Sequence, residues 1–298
     1  RTHMQGCRIE IATVHAGFRE AVAARGRCRM VEADEALKLL PAIYEAHWRE
    51  RPGHFARSPV WWEHRRFWEP ESHRDGASTS RWLIYEDADG PLGYARYRVT
   101  PRWEGSGLPG NTSQLFALYG PDSAARAALW RHVLDQDLVV KLTAYNRPTD
   151  CELLWLLDDP RRAQRQLRDE LWARIVDVKA ALEGRRYRRA GALVFELHDA
   201  FRSDTPTTWL LDAGPDGARC QTTTRTPELR LGIAELGEVY LGAAHVGSLA
   251  RAGRIEGNAD AIACASDQSG GAPISTFSAL VLPLGSTAMA GQRSAKTG

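Results

Sequence analysis

The sequence has no C-x-x-C pair, no apolar run long enough to cross a bilayer as a helix, and almost no lysine. Its five cysteines, Cys7, Cys28, Cys151, Cys220 and Cys264, are odd in number and scattered, and no histidine stands at ligand spacing from them. That spacing argues against a disulfide framework and against structural zinc, so no metal is expected. Residues 1–7 show no apolar signal core, and both observations fit a cytoplasmic setting. A membrane-spanning helix needs about 20 apolar residues, and none of the apolar stretches here exceeds a buried strand or helix face. Among 39 basic residues only Lys38, Lys141, Lys179 and Lys296 are lysine, a bias that follows from GC-rich arginine codons rather than from a site. The 37 acidic residues leave a net charge of +2. Nucleic-acid binders concentrate positive charge, so no nucleic-acid partner is expected.

The dinucleotide, P-loop, zinc-protease and nucleophile-elbow patterns are absent as well. Nine histidines form no pair at helical metal spacing, and His64, flanked by Glu63, Arg65 and Arg66, reads as part of a solvated face.

What is present is ample core material: 298 residues, 43% hydrophobic, with ten tryptophans. At about 150 residues per domain this suggests two domains. Residues 27–33 read as a strand leading to Asp34 as the N-cap of a helix, with Pro41 expected to kink or restart it. Ser58-Pro59 opens a second, Trp-rich helix through Trp61 and Trp62. Residues 81–86 and 92–99 form a hairpin across Asp87-Ala88-Asp89-Gly90-Pro91, the second strand alternating as half-buried strands do. A strand at 114–119, a helix from Asp122, a strand at 138–144, a helical stretch through Leu153 and Leu156, and a strand at 171–178 follow. Beyond Lys179 the texture changes to a short helix at 180–187, three strands at 193–197, 208–212 and 218–223, the segments 228–233 and Leu236 to Leu241, and a helical stretch from Val246 to Ile255. This is a small α+β unit.

Two adjacent tryptophans on one helix face different ways, so one of Trp61 and Trp62 fills the core while the other borders a cleft or interface. Trp172, beside Asp169 and Glu170, reads either as a core aromatic or as the wall of a pocket for a cationic substrate.

A series of segments carries more information than any one of them. Arg51-Pro52-Gly53 with Trp61-Trp62, the hairpin from Asp87 to Arg98, Ala128-Leu129-Trp130-Arg131, Asp159-Pro160-Arg161-Arg162, the stretch from Leu171 to Glu183, Ala213 to Cys220, and Leu236 to Gly242 occur in the order typical of one family. The chain resembles the Eis (enhanced intracellular survival) family of GNAT N-acetyltransferases over about residues 11–277.

The resemblance implies an α+β architecture: a GNAT-like mixed sheet with helices, followed by a sterol-carrier-protein-like α+β domain. It assigns residues 1–26 to a remnant of an N-terminal GNAT domain, with its last strand at 11–26. Residues 27–178 become the central GNAT-like domain, 179–277 the sterol-carrier-protein-like domain, and 278–298 a disordered tail. It implies acetyl-CoA as the cosubstrate of the complete family protein, a polyamine-type small molecule or a protein lysine as acceptor, and a homo-oligomer. The family's pyrophosphate-holding loop would lie upstream of residue 11, and where its tyrosine general acid precedes a Gly-Tyr-Gly segment this sequence has Met4-Gln5-Gly6-Cys7-Arg8-Ile9-Glu10, so this chain alone is expected to hold no acetyl-CoA. The family ends on a phenylalanine whose terminal carboxylate serves the reaction; its match is Phe277, which 21 residues follow. Trp61, Trp62 and Trp172 are the expected substrate-binding residues. A non-catalytic module is the alternative, in which the sterol-carrier-like half holds an apolar ligand against Leu193, Val194, Phe195, Leu210 and Leu211, or serves oligomer contacts.

Overall fold

The computed structural model describes residues 2–20, 25–48, 54–203 and 205–269. Its first part holds strands β1 (Thr2–Ala12), β2 (Arg27–Val31), β3 (Arg81–Asp87), β4 (Gly90–Thr100), β5 (Asn111–Tyr119), β6 (Val139–Arg147) and β7 (Gln164–Ala173). These make one seven-stranded sheet in the order β2-β3-β4-β5-β6-β1-β7. Neighbours are antiparallel except β5 and β6, which run parallel. Helices α1 (Ala33–His47), α2 (Pro59–Trp62), α3 (Ser123–Leu134) and α4 (Leu153–Leu156) complete this part. A parallel pair needs a crossover, and α3 supplies it between β5 and β6.

Helices on both sides give the sheet two cores. Leu83, Ala95, Tyr97, Leu115 and Leu129 pack around Trp130 of α3 on one face, while Leu40, Ile43, Tyr44, Trp62, Ile84 and Tyr94 pack on the α1–α2 face. β4 is consequently buried on both sides from Gly93 to Val99, and the alternating half-buried strand expected from its sequence is not what forms. The arginines at alternate positions, Arg96 and Arg98, are inside, 7% and 9% exposed. The hairpin before β4 forms as its turn residues dictate: the Asp87 carboxylate accepts the Asp89 N–H at 2.8 Å, and Gly90 takes φ +123°, a left-handed value that favours glycine.

The second part holds β8 (Gly191–His198), β9 (Thr207–Gly214), β10 (Gly217–Thr222), β11 (Leu229–Gly232) and β12 (Ile255–Gly257), in the order β10-β9-β8-β11-β12. Helices α5 (Val178–Glu183), α6 (Ile233–Tyr240), α7 (Val246–Arg251) and α8 (Ala259–Ser269) accompany them. The two parts meet where α6 lies against β1.

Several boundaries differ from expectation. The strand placed at 11–26 is Thr2–Ala12, and its chain then turns through Thr13–His15. The strand placed at 171–178 is Gln164–Ala173; it is an edge strand, where outward-facing Arg, Asp and Glu blunt further pairing and disguise the apolar alternation. Helix α1 starts at Ala33 after Glu32, with Asp34 in its first turn, and runs through Pro41.

Candidate functional site

The parallel pair β5–β6 is the natural place to look for a site, because its strands part company. They pair from Asn111 opposite Val139 to Leu115 opposite Ala144, after which β5 continues to Tyr119 beside β4 and β6 to Arg147 beside β1. The wedge so opened leaves backbone groups available to an extended ligand arm, as at any sheet edge. Here the chain fills it itself. Arg147, 7% exposed, donates from Nε to the Tyr145 carbonyl at 2.9 Å and from Nη2 to the Phe116 carbonyl at 3.5 Å. The rings of Phe116 and Tyr145 stack across the gap at 5.7 Å.

At the top of the wedge stands the start of α3. Free N–H groups and the helix dipole make such a terminus a site for phosphate. In this chain the Asp122 carboxylate accepts the Ala125 N–H at 2.8 Å, and Arg126 Nε donates to the Gly120 carbonyl at 2.9 Å. A fixed negative charge therefore sits where an anion would bind, and these residues do not fit the pyrophosphate of acetyl-CoA. Sequence reasoning had placed that question upstream of residue 11; the Gly120-Pro121-Asp122 run after a strand was the signal for this second location.

Of the residues expected to bind substrate, the structure brings Trp61 and Trp62 together and leaves Trp172 apart. The Ser58 hydroxyl caps the start of α2 by accepting the Trp61 N–H, as its sequence requires. Trp62, 2% exposed, belongs to the core beside Tyr44, and Trp61 is half-buried with its ring edge-on to Trp62 at 5.6 Å. Their cation is already present: the Arg57 guanidinium lies 4.3 Å from the Trp61 ring centre and 5.0 Å from that of Trp62, and Arg66 lies 4.6 Å from Trp61. Trp61 and Trp62 thus form part of an internal arginine–tryptophan cluster. Trp172 is 53% exposed on the edge strand β7, opposite His3. Phe277 and the residues 278–298 lie outside the described residues.

Two cavities bear on the expected sites. An open groove of about 1150 Å³ on the α3 face is lined in part by Cys28, Arg81, Tyr97, Arg131 and His132. Burial pushes the Cys28 thiol up to about 11, which removes it as a nucleophile near neutral pH, and burial likewise lowers the His132 pKa although Asp135 opposes it. The other cavity, about 80 Å³, is inside the second part between Leu193, Phe195, Leu211, Leu236 and Tyr240, with the guanidinium of Arg185 at its wall. Arg185 Nη1 donates to the Tyr240 carbonyl at 2.8 Å. Of the expected apolar wall, Leu193, Phe195 and Leu211 line this space, while Val194 and Leu210 do not. Ligand pockets measure about 300 Å³ or more, so these side chains serve as core. Among the described residues there is no cluster of His, Cys, Asp and Glu arranged to hold a metal ion, and no helix is long and apolar enough to cross a membrane.

Comparison with known proteins separates the same two parts. Residues 53–181 match the acetyltransferase (GNAT) domain family, and residues 178–273 match the sterol carrier protein domain family. An uncharacterized N-acetyltransferase of Streptomyces avermitilis is 41% identical over 229 residues, which are 77% of this chain and 56% of that protein. N-acetyltransferase Eis of Mycobacterium tuberculosis is 33% identical over 232 residues, 76% of this chain and 53% of that one. The crystal structure of Eis1 from Mycobacterium abscessus superposes with a TM-score of 0.72 at 27% identity, covering 91% of this chain and 66% of Eis1. A GCN5-related N-acetyltransferase from Anabaena variabilis, 18% identical, shares the fold with a TM-score of 0.71 over 92% of this chain and 67% of its own. The chain spans little more than half the length of the curated relatives it matches.

Proposed function

The chain belongs to the Eis family of GNAT N-acetyltransferases, with a GNAT domain followed by a sterol carrier protein domain, and from this premise we propose that the protein it represents acetylates a polycationic substrate. The donor is acetyl-CoA and the acceptor an amine of an aminoglycoside or a lysine side chain. The reaction is direct attack of a deprotonated amine on the thioester, which needs a base for the amine proton and a donor for the leaving thiolate. In this reading the GNAT domain described above is a scaffold for the sterol carrier domain, and the donor binds outside it. The free thiols of all five cysteines support a cytoplasmic setting.

The observation that carries the scaffold role is the occupied cosubstrate cleft. Arg147 takes the backbone acceptor in the wedge, and Asp122 caps the N-terminus of α3 above it. Acetyl-CoA titrated calorimetrically into this chain is expected to give no saturable heat at micromolar concentration. Stoichiometric binding that disappears in Arg147→Glu would overturn the scaffold reading and place the donor in this domain.

A further inference from the structure

On the α1–α2 face of the sheet, four guanidinium groups gather near one carboxylate that pairs with only two of them. Glu69 accepts from Arg96, from Arg98 at 3.0 Å and from the Ser80 backbone at 2.8 Å, so its charge is fully engaged. Among the described residues no carboxylate pairs with Arg57 or Arg66. Both are nevertheless drawn into the protein, Arg57 lying 3.5 Å from the ring centre of Tyr44 and both sharing Trp61. Burial, together with the charges of Arg57 and Arg96, lowers the pKa of Arg66. Like charges gathered out of water are costly unless a counter-charge meets them.

Two tyrosines stand beside these cations. Tyr94, 1% exposed, has its phenol oxygen against the Arg57 guanidinium, which can only donate, so the hydroxyl proton has no acceptor, and the ring of Tyr119 lies 5.1 Å away. A polar atom that is fully buried and unsatisfied marks either strain or a missing partner. The orphan hydroxyl and the unpaired guanidinium groups meet at the end of β5, where an acceptor carrying negative charge would satisfy all of them.

We propose that Arg57, Arg66 and the hydroxyls of Tyr94 and Tyr119 form a binding site for a phosphate dianion, free or as a monoester, entered past the half-buried Trp61 and Tyr119. The excess positive charge after Glu69 is counted exceeds what one carboxylate would neutralise. A phosphate group also offers three strong acceptor oxygens to this set of donors. The site is independent of the acetyl-transfer reading, since it needs neither donor nor amine.

The test is calorimetric titration of the chain with inorganic phosphate, with methyl phosphate and with acetate, all at ionic strength matched by chloride. Saturable phosphate binding is expected, with acetate weaker by about tenfold or more, as a monoanion with fewer acceptor oxygens should be. Arg66→Gln should weaken phosphate by about tenfold, since a charge-assisted partner is lost. Tyr94→Phe, which keeps the ring, should weaken it severalfold and carries the test if Arg66→Gln does not fold. Retention of methyl phosphate identifies a monoester as the natural form, and its exclusion identifies the free ion. Absence of saturation, equal binding of acetate, or phosphate binding unchanged in Tyr94→Phe would each overturn the proposal.

Discussion

Glu69 shows how much of this molecule depends on single charges in dry surroundings. Burial works against its carboxylate, yet the hydrogen bonds from Ser80 and the guanidinium groups of Arg96 and Arg98 outweigh burial and hold its pKa below the ordinary range. A carboxylate depressed in this way stabilises the fold fully above its unfolded value, about 4.3, and that stability is lost as pH falls through the lower folded value. Glu69→Gln keeps the shape but leaves two buried cations unneutralised, and a loss of about 3 kcal/mol is expected at neutral pH. Urea unfolding at neutral pH and near pH 3 checks both parts: the wild-type advantage should be large at the first and shrink at the second. This arrangement was not legible in Tyr94-Ala95-Arg96-Tyr97-Arg98, because arginine at alternate positions reads as the wet face of a strand. Only the helices covering that face make it a buried one. The Trp61-Trp62 pair was legible as one core and one border residue, but its partners Arg57 and Arg66 were hidden among flanking charges whose approach is set by tertiary packing. His64 is exposed, as its charged neighbours implied.

Elements were legible in proportion to their end signals. Asp122 and Ser58-Pro59 announce α3 and α2, and both caps form with the expected acceptor geometry. Helix α8 was missed because its Ala-, Cys- and Ser-rich sequence has little apolar stripe, although Asn258 accepting the Ala261 N–H at 2.8 Å is an ordinary cap. The α3 cap permits a direct measurement. Asp122→Ala should cost about 1 kcal/mol, lowering the thermal midpoint by roughly 2–4 °C for a unit of this size. Asp122→Asn keeps the acceptor oxygen and should restore most of it. If the two variants melt together, the carboxylate acts on the helix dipole through its charge and the hydrogen bond contributes little.

At the scale of the whole chain, the change of texture near Lys179 anticipated two folding units, and the side-chain clusters give this expectation physical content. Every buried member of the second core, from Ile175 to Ala261, lies beyond β7, and none belongs to the two cores of the first sheet. Ile175 already packs with Leu182 and Tyr187, and Arg174 reaches Asp199 at 2.6 Å, so the segment ahead of Lys179 is tied to the second unit. We therefore propose the seam between Ala173, where β7 ends, and Ile175. Opposing separation is the contact of α6 with β1. Inter-domain contacts of modest size let each unit fold by itself. Brief digestion of the native chain with a protease of broad specificity should then cleave within residues 174–177, where Val176 is 67% exposed, and mass spectrometry should find a persistent fragment beginning there. Its melting should be cooperative after removal of the first unit. Degradation straight to small peptides would mean that α6 on β1 couples the two cores into one cooperative unit, because the second sheet would then survive only while β1 is in place.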